Sequence, residues 1–414
     1  MVTVVSCQGT WLTRLLAYYK KEATVHTVAS FLFCLQVIDS YGIIPPMIVS
    51  IAIGIALIVP LIFLFFLRRF DLFSTGKYIF NIITIVCGIV AYILAAQINP
   101  AMVNAGWVTW DQVIRITAPF IEEILKAIIL IYLVQRADFN YVVDGALYGF
   151  GAGIGFAIIE NYEYVSGNPE IALTIALARV FSTNLVHATG SGLIGTALAY
   201  RRGDSSWRGG AVVAGGYVFS IVLHMVFNTM VSAGAFIIVA VIFGLTGMML
   251  IWYVIRRGMY TQKQWVGEKL GVEDRVTKAE TKAVTGIDKV VDDLLKPFED
   301  RFGNEKIPIV RDLLYKQAEI GIKRKLLDST PSPTKRKEIE EIVLRLGREM
   351  EVLRNQIGMY PMMFVRAVYL EQDVKVWDSI NARVIAASTG QKGGGLWDRV
   401  NDRVKQSPPQ DDKL

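Results

Sequence analysis

The sequence predicts an all-α polytopic membrane protein, with seven or eight transmembrane helices followed by a cytoplasmic helical domain. Three observations predict it. The 414-residue chain is 53% hydrophobic, with a mean hydropathy of +0.41, too apolar for a soluble protein of this length. Its first 257 residues contain successive apolar runs of about 20 residues, the length a helix needs to cross a bilayer core. Charge gathers behind them: residues 258–414 hold 53 of the 80 Lys, Arg, Asp and Glu side chains.

The expected spans are 43–67, 78–98, 117–135, 142–165, 172–200, 210–231 and 234–255, preceded by a shorter stretch at 23–40. Pro45 and Pro46 mark the turn between that stretch and the first long run. Arg68, Arg69 and Lys77 lie in one connection, Arg136 in another, then Arg201, Arg202 and Arg208, then Arg256 and Arg257; the opposite connections hold only Arg115. The positive-inside rule makes the first set cytoplasmic, and with it the tail of a multi-pass cell-membrane protein. If 23–40 spans, there are eight helices and Lys20 and Lys21 are cytoplasmic. If not, there are seven and the N-terminus is outside.

Two domains are expected, 1–257 in the membrane and 258–414 beyond it. In the second, Ile339, Val343, Leu346, Met350, Leu353 and Ile357 alternate steps of four and three, a heptad seam suited to a helical hairpin, with "DSTPSPTKRK" at 328–337 as the turn before it. "WDSINARV" at 377–384 recurs as "WDRVNDRV" at 397–404, two amphipathic helices that could meet a membrane surface, a protein partner or the tail's own core. The closing "QSPPQDDKL" is expected to be disordered.

The net charge of +6 divides evenly between the two parts, so the tail is no basic arm and nucleic-acid binding is not expected. Cys7, Cys34 and Cys87 have no paired spacing, against both a disulfide framework and a cysteine metal site. No small-residue cleavage site follows Lys20 and Lys21, so no signal peptide is expected.

The informative residues are the polar ones inside the spans. "APFIEEILKAIILIYLV" (118–134) carries Glu122, Glu123 and Lys126, and each such charge costs about 2.5–3.5 kcal/mol at a helix centre on insertion scales. Glu122 and Lys126 share a face, and Glu123 is three residues from Lys126. "GFAIIENYEY" supplies Phe156, Glu160, Asn161 and Glu163. "RVFSTNLVHATGSG" places Arg179, Thr183 and His187 at four-residue steps. "LHMVFN" places His224 and Asn228 one turn apart. Each piece alone reads blandly, as a self-neutralised pair, a helix-to-helix hydrogen bond, or an Arg179 partner for Glu160 or Glu163. Together, four helices offer carboxylate, imidazole and amide groups that are tolerable only if they converge on one water-accessible interior site. The glycines from Gly145 to Gly155 lack the preceding strand of a dinucleotide loop; close helix approach accounts for them.

Two His and one Glu form a catalytic zinc set with a position open for water, here Glu160, His187 and His224. Glu122 or Glu123 could take the proton of that water, Lys126 could keep the other glutamate ionised, and Asn161 or Asn228 could stabilise an oxyanion. A metal-free variant uses the same residues, with a glutamate activating the water. The sequence contains no HExxH, and "TGSG" at 189–192 has Thr where a rhomboid-like GxSG needs Gly.

These pieces resemble the PrsW family of intramembrane proteases, itself distantly similar to the CAAX-processing and bacteriocin-immunity proteases. The resemblance rests on "EEILK", "DGALYGFGAGIGFAIIEN", "RVFSTNLVHATGSGLIG" and "LHMVFN", in that order over about 118–230, and Phe156 to Glu160 gives the FxxxE form rather than FxxxH. It implies cleavage of membrane-anchored proteins, such as an anti-sigma factor, and is silent on 258–414. Two other functions fit the same residues: a proton- or ion-coupled transporter, against which no pair of similar halves is found, and a non-enzymatic scaffold acting through its tail.

Overall fold

The computed structural model describes residues 46–367, apart from 72, 74, 75, 205, 235, 236, 272, 273, 287, 288 and 291–293. The stretch 23–40, Cys7, Cys34, the two WD segments and the C-terminal end lie outside the described residues. Among those described, every regular element is a helix, and six are long and apolar enough to cross a membrane.

The helices are α1 (Pro46–Arg68), α2 (Tyr78–Asn104), α3 (Ala118–Leu133), α4 (Val142–Gly167), α5 (Ala172–Phe181), α6 (Thr183–Gly203), α7 (Trp207–Ser232) and α8 (Ile237–Lys269). The C-terminal unit adds α9 (Lys278–Thr285), α10 (Lys296–Phe302), α11 (Ile307–Ser329), α12 (Pro333–Ile357) and α13 (Met359–Ala367). Six of the expected spans coincide with long apolar segments. The seventh, 117–135, contains the 16-residue α3, which continues without a break from the helical turns Trp110–Gln112 and Val113–Thr117.

Pro119 explains the change of helical pitch at this join. It has no N–H, and its ring clashes with the preceding turn of a regular helix. The chain therefore enters α3 through a π-helical turn, Val113–Thr117, with the Ala118 N–H bonded to the Val113 carbonyl. The next bond of that turn would come from residue 119, so Pro119 leaves the Ile114 carbonyl open, and the Asn228 amide fills it at 3.0 Å. A second interruption lies at Ser182, which splits the expected 172–200 span into α5 and α6. The Ser182 hydroxyl donates to the Ala178 carbonyl at 2.6 Å there.

α4 is the central helix, buried at every position from Val142 to Ile158. Its glycines make this possible. A Cβ on Gly153 would overlap the His187 carbonyl and lie 2.5 Å from the Ala188 Cα, so α6 can press against α4 at the level of His187 only because that position has no side chain.

α8 is 33 residues, about 50 Å, and runs on well past residue 257 to meet the C-terminal unit. α11 and α12 form a hairpin. Leu313, Leu314, Ala318, Ile322 and Leu326 share one apolar core with Ile342, Leu346, Met350 and Ile357, and that core continues into Val143, Leu147, Ile255 and Met259 of the membrane helices. The heptad seam is present with two changes: Val343 and Leu353 are only half-buried, and their neighbours Ile342 and Arg354 are buried instead.

Candidate active site

Four helices bring the intramembrane polar groups together. On α3, one face turns Glu123 and Lys126 fully inward, and Lys126 Nζ donates to Glu123 Oε1 at 2.6 Å. Lys126 also faces His187 Nδ1 on α6 at 3.1 Å and lies 4.9 Å from the centre of the Phe156 ring on α4. Glu123 accepts a second hydrogen bond from the Ser220 hydroxyl at 2.9 Å, and His224 Nδ1 lies 3.2 Å from its Oε1. Both partners come from α7, four residues apart on one face. The approach is close because Gly190 faces Ser220: a Cβ there would overlap the Ser220 hydroxyl and sit 3.3 Å from Glu123 Oε2.

Partners decide the tautomers. An ammonium can only donate, so Lys126 makes His187 Nδ1 the acceptor and leaves the ring proton on Nε2. That nitrogen is 2.9 Å from Glu160 Oε2. Glu123 accepts, so His224 carries its proton on Nδ1 and turns a lone pair at Nε2 toward Glu122 Oε2, 3.8 Å away. Glu160 is paired with Arg179 at 2.8 Å, and the Arg179 Nε donates to the Asn161 amide oxygen at 2.9 Å. The imidazoles of His187 and His224 meet edge to face, with centres 4.6 Å apart.

A cavity of about 130 Å³ opens onto this cluster, and Glu122 and Glu160 stand in its wall with Tyr92, Glu163, Tyr164 and Asn228. Glu123, Lys126, His187 and His224 do not line it. The two neighbouring glutamates of α3 therefore differ: Glu122 meets the cavity, and Glu123 is sealed behind it against three partners.

All eight expected site residues lie in or beside this cluster. Asn161 and Asn228 are engaged elsewhere, by Arg179 and by the Ile114 carbonyl. Ser220 and Gly190 were missed. Ser220 could have been found from its spacing, since Ser220, His224 and Asn228 fall at four-residue steps along α7. Gly190 has no such signal.

The donor set suits a divalent metal. One donor atom each from Glu122, His187 and His224 lies within 4.8 Å of the others. Glu123 on the far nitrogen of His224 is the carboxylate that zinc-bound histidines commonly carry. The expected set had Glu160 in the place of Glu122; Glu160 is at hydrogen-bond distance from His187 but is also held by Arg179.

Carboxylates and imidazoles from four helices thus gather beside one cavity within the helical bundle. Residues 77–255, under half of the chain, match the family model described as PrsW family intramembrane metalloprotease, in support of the resemblance read from the motifs. No curated protein and no solved structure matches the chain.

Proposed function

We propose that the chain is an intramembrane endopeptidase that hydrolyses a peptide bond of a membrane-anchored protein at the Glu122–Glu160 cavity. The observation that carries this reading is the division of labour on α3, with one glutamate facing a cavity and its neighbour closed into a proton-holding network. A water between Glu122 and Glu160 loses its proton to Glu122, the carboxylate with no guanidinium on it. Glu160 is kept ionised and aimed by Arg179. Glu123 fixes the His224 ring, and Lys126 neutralises Glu123 and fixes His187. The Nε2–H of His187 is the donor nearest the developing oxyanion.

The metal that the family description implies would be held by Glu122, His187 and His224, His187 giving up its Nε2 proton to bind it, leaving Glu160 as the carboxylate that takes the proton of the water. It would supply Lewis-acid polarisation and a more acidic water. Zinc is the metal these ligands suit. The basic connections and the C-terminal unit face the cytoplasm on this reading, and the substrate reaches the cavity from the bilayer.

The test is cleavage of a single-span peptide by protein reconstituted in vesicles, with metal content measured on the same preparation. Glu122→Gln loses cleavage under either arrangement while circular dichroism is unchanged. About one metal per chain, lost in His224→Ala, assigns the metal mechanism; none in either assigns direct glutamate catalysis. Full activity in both Glu122→Gln and His224→Ala would remove the site assignment.

A further inference from the structure

The connection between α3 and α4 spans residues 134–141 and joins the helix of Glu122, Glu123 and Lys126 to the helix of Glu160. Its carbonyls, left over where α3 ends, need donors. Two cations supply them. Arg202, at the end of the His187 helix, donates to the Val134 carbonyl at 2.7 Å and the Arg136 carbonyl at 2.6 Å. Lys323, fully buried on α11 of the C-terminal unit, donates to the Ala137 carbonyl at 2.5 Å and the Phe139 carbonyl at 3.3 Å.

Lys323 reaches this point because Gly321 lets α11 lie against α8, where an added Cβ would stand 2.9 Å from the Val266 Cα. Around it the connection is otherwise open on one side: a cleft of about 680 Å³ runs between residues 132–138 and α12. A cation there also complements the negative end of the α3 dipole.

We infer that Lys323 is a positioning residue through which the C-terminal helical unit holds the pose of α3, so that this unit is a working part of the membrane site and not a tether. From Lys126 to Leu133, the last residue of α3, is only about 10 Å. A shift of the connection therefore carries to Glu122 and Glu123 with little loss. Only the catalytic consequence rests on the function proposed above; the mechanical claim does not.

The experiment is hydrogen exchange by mass spectrometry on the full chain in nanodiscs, comparing wild type, Lys323→Met and Lys323→Arg. In Lys323→Met the amides of 130–141 should exchange about tenfold faster or more. Those of 307–320 and 339–357 should stay as in wild type, and Lys323→Arg should recover most of the protection. Unchanged exchange at 130–141 overturns the inference. Faster exchange throughout α11 and α12 overturns it too, because Lys323 would then serve only the fold of the C-terminal unit. A cleavage assay runs beside it: kcat should fall in Lys323→Met with KM held. If wild type cleaves nothing, the proposed function fails while the exchange result stands.

Discussion

Two regions of this protein bury charge, and they do so differently. In the C-terminal unit, Glu280 is fully buried. It accepts the Thr277 N–H at 2.8 Å in a capping box and the Gln317 amide at 3.0 Å, with Arg366 3.6 Å and Arg354 4.0 Å away. That network closes on itself, tying α9, α11, α12 and α13 together. In the membrane, Glu123 is closed in the same way, but its neighbour Glu122 is left facing a cavity. A closed network holds helices together. One carboxylate left out of such a network, beside a cavity, is available for chemistry.

The largest effect expected from breaking this contrast is at Glu122. Glu122→Gln keeps the shape and removes the proton acceptor, so turnover of a membrane-anchored peptide should fall by about 10²–10⁴-fold with unfolding temperature little changed. Glu123 should behave in the opposite manner. Lys126→Met leaves a carboxylate buried without its cation, at a cost of about 3–5 kcal/mol in stability. The double variant Glu123→Gln with Lys126→Met should recover part of that loss, and a double-mutant cycle on thermal unfolding measures it.

Glu280→Ala should cost about 1–3 kcal/mol, confined to the C-terminal unit, because it strands the Gln317 amide and the two arginines. Hydrogen exchange should rise at 277–285 and 354–366, and peptide cleavage should change less than in either membrane variant.

The smallest effect concerns pH. Burial pushes the Lys323 ammonium down from 10.5 to about 8, against the pull of Glu319, Asp144 and Asp138 and with the repulsion of Arg202. Between about 8 and 10.5 the unfolded chain binds the proton and the folded chain does not. Stability therefore gains a positive slope with pH in that window. The slope should be missing from Lys323→Met when denaturation is followed at pH 7.5 and 10. Asp138 shifts the other way: burial raises it, but Lys77 at 2.8 Å outweighs burial and holds the carboxyl below its usual range.

Much of the membrane part was legible in the sequence. The spans follow from apolar runs, and the helical repeat alone puts Ser220, His224 and Asn228 on one side of α7 and Lys126 near both glutamates. Two features were legible only in hindsight. Pro119 forces a π-helical turn just ahead of α3, and that turn took Asn228 as its hydrogen-bond donor. The Ser182 break lies in a run whose composition reads as one uninterrupted span.

By itself, then, the sequence determined the helical class, most of the long apolar helices and which intramembrane polar groups needed partners, because apolar length and a 3.6-residue repeat are local properties. The tertiary structure decided the rest. Glu122 and Glu123 point about 100° apart on the same helix, and nothing local chooses between them. That choice fell to α7, which brings Ser220 and His224 against Glu123 across the space left by Gly190. In the same way Lys323, two hundred residues from Glu123, reached the end of α3 only through the packing of α11 on α8. Which face of a helix meets which neighbour is set by helix crossings, and these depend on the whole bundle.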